Sequence, residues 1–586
     1  MNFMTPIAMQ DQTNPRKQNI VLNLMTQHWP LWIALAALWI CTGVLQYFAA
    51  LRTEGHLIYS LDDAYIHMAM AKNLAHHGVY GVTRYEFSSS SSSPVWTLIV
   101  ALFYLVFGVR DTIPFVLNVI VSSLVLVAAY VLLTKNVKRH ALLTFTLLAI
   151  VFFTPLPLLI SIGMEHPLHI LLVVLFIWLF GRTIVGDTST IKTSTLIILI
   201  LVCIALAMTR FESYALIAIV AILYAIRRRW KLALGILLAS ALPLFVYQAI
   251  SVAHGWQWLP NSVLIRANTQ QTQMFNSMEV FLIAPMASEG PGSFYTVGLE
   301  TILHSPFLAI LLSVSVVILI FSIRRTRQFW KFEHVLLVAY IAMALAHAQF
   351  GRIGHFFRYE AYLIAVGVFV LAFSIGDAFD ALKQWMMVSR GRALAGSVVL
   401  LIAVQLTIPF FTRCFLALPL IGPSSQNIYQ QQYQMGLFLQ RYYDGKTVAA
   451  NDIGAICYLA DIHLVDLVGL GSVDIYQLRK SNTYDTERVQ RLCAQRGVSL
   501  AVAYELWLQL GGMPGFQQKW KLAGRWKIPD NIVCGSDIVS FFSVDPSGEQ
   551  QLKEDLGKFS RTLPRDVGFW VKPNNPSDTP KTSSSH

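Results

Sequence analysis

Two adjacent carboxylates, Asp62 and Asp63, stand a few residues beyond the first long apolar block of the chain, in Tyr59-Ser60-Leu61-Asp62-Asp63-Ala64-Tyr65-Ile66-His67. The apolar spacing of 64–75 is helical, so the pair falls at a helix start. There it can cap the helix and complement its dipole, or it can supply a general base that takes a proton from a hydroxyl. Successive helical residues point about 100° apart. One carboxylate can therefore face a nucleophile while the other holds a helper, a metal or a substrate hydroxyl. Of the two, Asp62 is read as the base. His67, one turn further on, is a candidate for positioning the reactants.

Other residues offer chemistry at scattered positions. The serines at 88–93 read as a flexible linker. Pro94-Val95-Trp96 follows, and Trp96 reads as an interfacial anchor or as part of a loop covering a substrate. Ser161-Ile162-Gly163-Met164-Glu165-His166 is a short polar connection carrying Glu165. In Thr209-Arg210-Phe211-Glu212, Arg210 and Glu212 either satisfy each other as an ion pair or read a phosphate, with Glu212 orienting Arg210. Leu259-Pro260-Asn261-Ser262 is a turn with Arg266 close behind. The segment 351–359 is basic and aromatic; it fits lipid headgroups or a phosphate clamp made of Arg352, His355 and Arg358 beside Tyr359. No cluster of histidine, cysteine and carboxylate demands a metal and no cofactor is required, although a divalent cation bridging carboxylate and phosphate is compatible with the set.

The elements that must position these groups are membrane spans. Of 586 residues, 55% are hydrophobic and only 13% charged, against about 25% charged in soluble domains. About eleven apolar spans are expected, at 29–51, 113–134, 141–160, 168–184, 195–208, 214–226, 232–252, 302–323, 335–348, 362–379 and 394–411. Residues 95–107 are too short to cross and are read as a helix lying on or dipping into the surface. With 1–28 in the cytoplasm, the basic clusters around Lys135, Arg182, Arg228, Arg325 and Arg390 all fall inside, as the positive-inside rule requires. The net charge of +12 is thus accounted for by topology, and a nucleic-acid role is disfavoured. The polar loops, including the first outer loop 52–112, then gather on the outer side. Ionisable groups at span ends are costly unless they face a cavity.

The membrane region 29–413 is followed by a more polar tail. Strand signals at 447–450, 500–504 and 538–544 and helix signals at 430–443 and 486–496 indicate an extracytoplasmic α/β domain over 414–560. Residues 561–586 are expected to be disordered. Cys457, Cys493 and Cys534 could supply one disulfide there, with no pairing fixed by spacing.

Taken in order, Asp62-Asp63, Ser93-Pro94-Val95-Trp96, Gly163-Met164-Glu165, Thr209-Arg210-Phe211-Glu212, Leu259-Pro260-Asn261-Ser262, Arg358-Tyr359, Asn451-Asp452-Ile453-Gly454-Ala455 and Val465-Asp466-Leu467-Val468-Gly469-Leu470 resemble the GT-C superfamily of polyprenyl-phosphate-sugar-dependent glycosyltransferases. Within it the chain is most similar to the terminal arabinofuranosyltransferases of the mycobacterial cell wall and their relatives. That resemblance implies a multi-pass enzyme of the bacterial plasma membrane that inverts at the anomeric carbon. It implies an aspartate base in the first outer loop, a polyprenyl-phosphate-linked sugar donor, and a tail that helps hold a glycan acceptor. Arg210, Arg266, Arg352, His355 and Arg358 would meet the donor phosphate. His67, Trp96, Glu165, Glu212, Asn261 and Tyr359 would position donor or acceptor. The serine run at 88–93 and the arginine at 266 depart from the pattern and leave the sugar open. A lipid-linked oligosaccharide ligase or polymerase is the rival enzyme reading. A transporter is a weaker one, because the charges cluster at one interface and not at mid-membrane depth.

Overall fold

The computed structural model describes residues 27–187, 191–256, 258 and 301–572. Among these, eight helices are long and apolar enough to cross a membrane, so the chain is a multi-pass helical membrane protein. Three further expected spans appear as shorter apolar helices, Thr193–Thr209, Ser213–Ile226 and Ala361–Ile375, the last opening the longer helix Ala361–Met386. Pro94–Phe107 belongs to the same class of shorter apolar helices, at 14 residues or about 21 Å the same length as Ser213–Ile226. The third expected span is broken. Pro155 has no amide hydrogen to continue a helix, and the chain divides into His140–Phe153 and Leu156–Ile162.

Five helices share one feature at one end of this assembly. Asp62, Asp111, Glu165, Glu212 and Glu360 are the N-cap residues of Asp63–His77, Thr112–Leu133, His166–Val185, Ser213–Ile226 and Ala361–Met386. None of these carboxylates caps its own helix. They are directed at partners elsewhere, while the positive ends of the helix dipoles converge among them.

The tail is built on a six-stranded sheet of β1 (Thr447–Ala450), β2 (His463–Asp466), β3 (Leu500–Ala503), β4 (Lys521–Lys527), β5 (Ile538–Ser543) and β6 (Gly568–Val571). The strand order is β2-β1-β3-β5-β4-β6. β1 pairs in parallel with β2 and β3, and the remaining pairings are antiparallel. Alternation along β1 and β3 serves two layers. Ala449 and Ala501 face a core closed by Val473–Lys480 and Thr486–Gln495, whereas Val448, Ala450, Leu500 and Val502 belong to a second core. That second core contains Phe438, Trp526 and Phe559 and runs without a break into the membrane region. The tail is therefore packed onto the spans.

Two expectations for the tail change. β6 pairs with β4, so ordered chain continues beyond 560 as far as 572; residues 573–586 lie outside the described set. All six cysteines are free thiols, Cys457, Cys493 and Cys534 among them, so the disulfide open to the tail is not formed.

Candidate active site

Asp62 and Asp63 begin the same helix and face different neighbours. Asp62 is buried. Its Oδ2 accepts the Gly454 amide at 2.7 Å and its Oδ1 accepts the Ala455 amide at 2.8 Å. It thus caps the N-terminus of a tail helix, Gly454–Leu459, 392 residues away in sequence. Only glycine fits at 454, because a Cβ there would lie 2.2 Å from the Asp62 carbonyl oxygen. Lys72, from the same Asp63–His77 helix, donates to the Cys457 carbonyl at 3.3 Å and the Tyr458 carbonyl at 2.5 Å, closing the other end of the tail helix. Beside Asp62, Asp452 Oδ2 accepts from Gln432 Nε2 at 2.8 Å and from the Tyr504 hydroxyl at 2.9 Å. Burial, and then the neighbouring Asp452 charge, push the Asp62 carboxyl well above its ordinary range; the two backbone amides pull the other way without cancelling this.

Asp63 is 41% exposed, and its Oδ2 accepts from Arg358 Nη2 at 2.7 Å. The Arg358 guanidinium is buried; its Nη1 reaches only the weak acceptor Met164 Sδ at 2.9 Å, and its Nε has no partner. Tyr359 lies between two guanidiniums, with Arg358 Cζ 5.1 Å and Arg210 Cζ 5.4 Å from its ring centre. His355 stacks on the same ring at 5.5 Å.

Arg210 is engaged through all three of its nitrogens. Nε and Nη2 grip Glu212 at 3.1 and 2.6 Å, and Nη1 donates to Glu165 Oε1 at 2.9 Å. The self-satisfying ion pair is the arrangement observed here, with Glu165 as a third member. Arg210 therefore orients this wall, with three of its five N–H groups on the two glutamates. Burial would raise the Glu212 carboxyl, but the Arg210 charge and its hydrogen bonds overcome it and hold the group well below the ordinary range. Glu165 is fully buried, and its Oε2, 3.6 Å from His67 Nε2, makes no hydrogen bond. Burial lowers the His67 imidazole, outweighing Glu165 and Asp63, which favours its neutral form.

The serine tract is no flexible linker. Five of its six serines are buried. Ser89 bonds Tyr247 at 3.1 Å, Ser90 donates to the Leu470 carbonyl of the tail at 2.9 Å, Ser91 meets Thr97 at 3.1 Å, and Ser92 lies 3.3 Å from His67 Nε2. Ser93 caps the helix that carries Trp96, itself buried with an unpartnered indole Nε1. Short hydroxyls inside a packed loop satisfy one another and the backbone, which composition alone does not distinguish from solvated serine.

The clamp expected from Arg352, His355 and Arg358 is opened out. Arg358 turns to Asp63, His355 stacks on Tyr359, and Arg352 is half-buried with its carbonyl accepting from His347 Nε2 at 2.8 Å. The loop between them is strained. Gly354, His355, Phe356 and Phe357 have φ of 87, 42, 65 and 60°, four successive residues in the left-handed region, which costs on the order of 1–3 kcal/mol for each non-glycine. A pair that the sequence reading missed restrains it. Glu360 accepts the Gly354 amide at 2.8 Å and pairs with Arg413, which also donates to the Phe357 carbonyl at 2.7 Å. An arginine at the end of an apolar stretch was the available signal. Asn261 and Arg266 lie outside the described residues. Among the described residues no group of three or more histidine, cysteine or acidic side chains could hold a metal ion.

Fold and site together define a multi-pass membrane protein whose helix N-termini, first polar loop and α/β tail enclose a buried charge network. A family model described as a domain of unknown function (DUF8728) matches residues 426–542, within the tail. Among solved structures, the chain is similar to ArnT from Cupriavidus metallidurans bound to undecaprenyl phosphate, at 12% identity and a TM-score of 0.47, over 87% of this chain and 98% of that one. It is similar also to ArnT from the same organism in the apo state, at 12% identity and 0.45, over 91% and 99%. No curated protein matches.

Proposed function

We propose that the protein transfers a single sugar, arabinofuranose or a close relative, from a polyprenyl-phosphate donor to a glycan acceptor on the outer side of a bacterial plasma membrane. The observation that carries this reading is the half-open Asp63 carboxylate held by a buried arginine whose Nε is unpartnered. Asp63 takes the proton of the acceptor hydroxyl as that oxygen attacks the anomeric carbon, and the prenyl phosphate leaves from the opposite face, so configuration inverts. Asp62, with both oxygens on backbone amides, forms the wall that docks the tail.

The departing phosphate needs donors. Arg358 Nε and the weakly engaged Nη1 supply two of them, and the converging helix N-termini add favourable potential. Trp96 Nε1, Glu165 Oε2 and His166 Nε2 are further buried polar atoms without partners in this region. Such atoms are uncommon in folded interiors unless a ligand completes them. Neutral His67, with Glu165 and Ser92, suits sugar hydroxyls better than phosphate.

The test is a donor panel. Purified protein should release prenyl phosphate and move sugar only from polyprenyl-monophosphate sugars. Transfer from nucleotide sugars, or of whole oligosaccharides from polyprenyl-diphosphate carriers, would overturn the assignment.

A further inference from the structure

The far end of the helical bundle carries a second built feature. Thr112–Leu133 begins beside Tyr59 at the site, where the Tyr59 hydroxyl donates to the Asp111 carbonyl at 2.5 Å. It ends 22 residues later, roughly 33 Å away. His166–Val185 runs the same way from Glu165. Between their C-terminal ends and the start of Phe332–Phe350 lies a cavity of about 330 Å³. Lys135, Asn136, Trp178 and Arg182 form its polar wall, with Phe332 and Phe373 beneath.

We propose that this cavity binds the phosphate headgroup of an anionic phospholipid from the bilayer leaflet opposite the active site. Lys135, in the turn after Thr112–Leu133, and Arg182, in the last turn of His166–Val185, line it, and neither has an ion-pair partner among the described residues. The Arg182 guanidinium lies 5.3 Å over the Trp178 ring, which pre-orients it. The carbonyls at this helix end do not occupy the cations, because Arg229 already serves them. It donates to Gly186 O at 2.5 Å and also to Thr183 O. The floor is made by close approach: a Cβ on Gly181 would lie 2.7 Å from the Phe332 ring. Two unpaired cations suit one phosphodiester, Asn136 suits a headgroup hydroxyl, and the apolar floor suits the first carbons of the chains. Basic residues at helix ends fix orientation whichever way they point. That role requires neither a cavity nor an indole beneath the guanidinium, whereas basic pockets between spans are sites for anionic headgroups.

The experiment is native mass spectrometry on delipidated full-length protein with added phosphatidylglycerol or phosphatidylethanolamine, and in parallel a thermal-shift series with inorganic phosphate. Wild type should keep phosphatidylglycerol under activation that strips phosphatidylethanolamine. Lys135→Ala with Arg182→Ala should weaken that retention at least about tenfold, while the same-charge control Arg324→Ala with Arg325→Ala leaves it unchanged. Both cations are exposed, so the double variant should hold the wild-type melting temperature. Equal retention of the two lipids, unaltered retention in the double variant, or stabilisation by inorganic phosphate matching that by phosphatidylglycerol would each overturn the proposal.

Discussion

Asp62 and Asp63 share a peptide bond and belong to two regions of opposite character. Around Asp62 the molecule is closed: both carboxylate oxygens are used, the glycine opposite admits no side chain, and Lys72 completes the far end of the helix that Asp62 caps. Around Asp63 it is half open: one guanidinium holds the carboxylate, and several buried polar atoms nearby lack partners. A rotation of about 100° between neighbouring helical residues is enough to separate the two. The difference teaches that two neighbouring carboxylates can divide their work: the one with both oxygens on backbone amides builds a wall, while the more exposed one stays within reach of solvent.

The largest effect should fall on the open side. Asp63→Asn should lower kcat about 10²–10⁴-fold with donor KM little changed, checked by steady-state transfer kinetics. Equal losses in kcat and in donor affinity would point to a structural role. Next comes the pair behind the strained loop. Arg413→Met leaves the fully buried Glu360 unpaired and should cost about 3–5 kcal/mol, seen as a lower unfolding midpoint. On the closed side, Gly454→Ala should force the tail away from Asp62, costing about 1–3 kcal/mol and exposing the 443–447 connection to limited proteolysis.

A subtler test uses pH. The native Asp62–Asp452 neighbourhood binds a proton more tightly than the unfolded chain, since burial raises both carboxyls. Its stability contribution is therefore fully present at low pH and is lost as pH rises from the ordinary carboxylate range through the raised native value. Asp452→Asn keeps an oxygen for Gln432 and Tyr504 and removes the second charge, so melting temperature against pH should flatten over that window. The smallest effect belongs to Lys72→Met, which removes one favourable charge from a helix C-terminus, about 0.3–1 kcal/mol, measurable as a small shift in the same melting curve.

Much of this was legible from residue order. Long apolar blocks mark the eight helices that are long and apolar enough to cross a membrane, and strand signals at 447–450 and 538–544 mark β1 and β5. Asp62-Asp63, Glu165, Arg210-Glu212 and Arg358-Tyr359 do come together. What failed did so for physical reasons. A carboxylate at a helix start looks the same whether it caps its own helix or one 392 residues away. Arg210 reads equally as phosphate ligand or as ion-pair partner in the sequence, which does not show that Glu165 joins Glu212 on its guanidinium. The serines at 88–93 carry no periodicity to betray their burial, and β6 is an edge strand of only four residues, too short to show an alternation. Arg413 could not be placed, because what it restrains is a loop conformation.

The central claim is that the second aspartate acts on the substrate and the first holds the tail. Side-by-side transfer assays on folded Asp62→Asn and Asp63→Asn, with one polyprenyl-phosphate-pentose donor and intact-tail fractions scored by proteolysis, test it directly. The account predicts that Asp63→Asn is folded and nearly inactive, whereas Asp62→Asn keeps transfer within about tenfold of wild type and loses tail protection. A folded, tail-docked Asp62→Asn that is inactive, beside an Asp63→Asn that still transfers sugar, would contradict it.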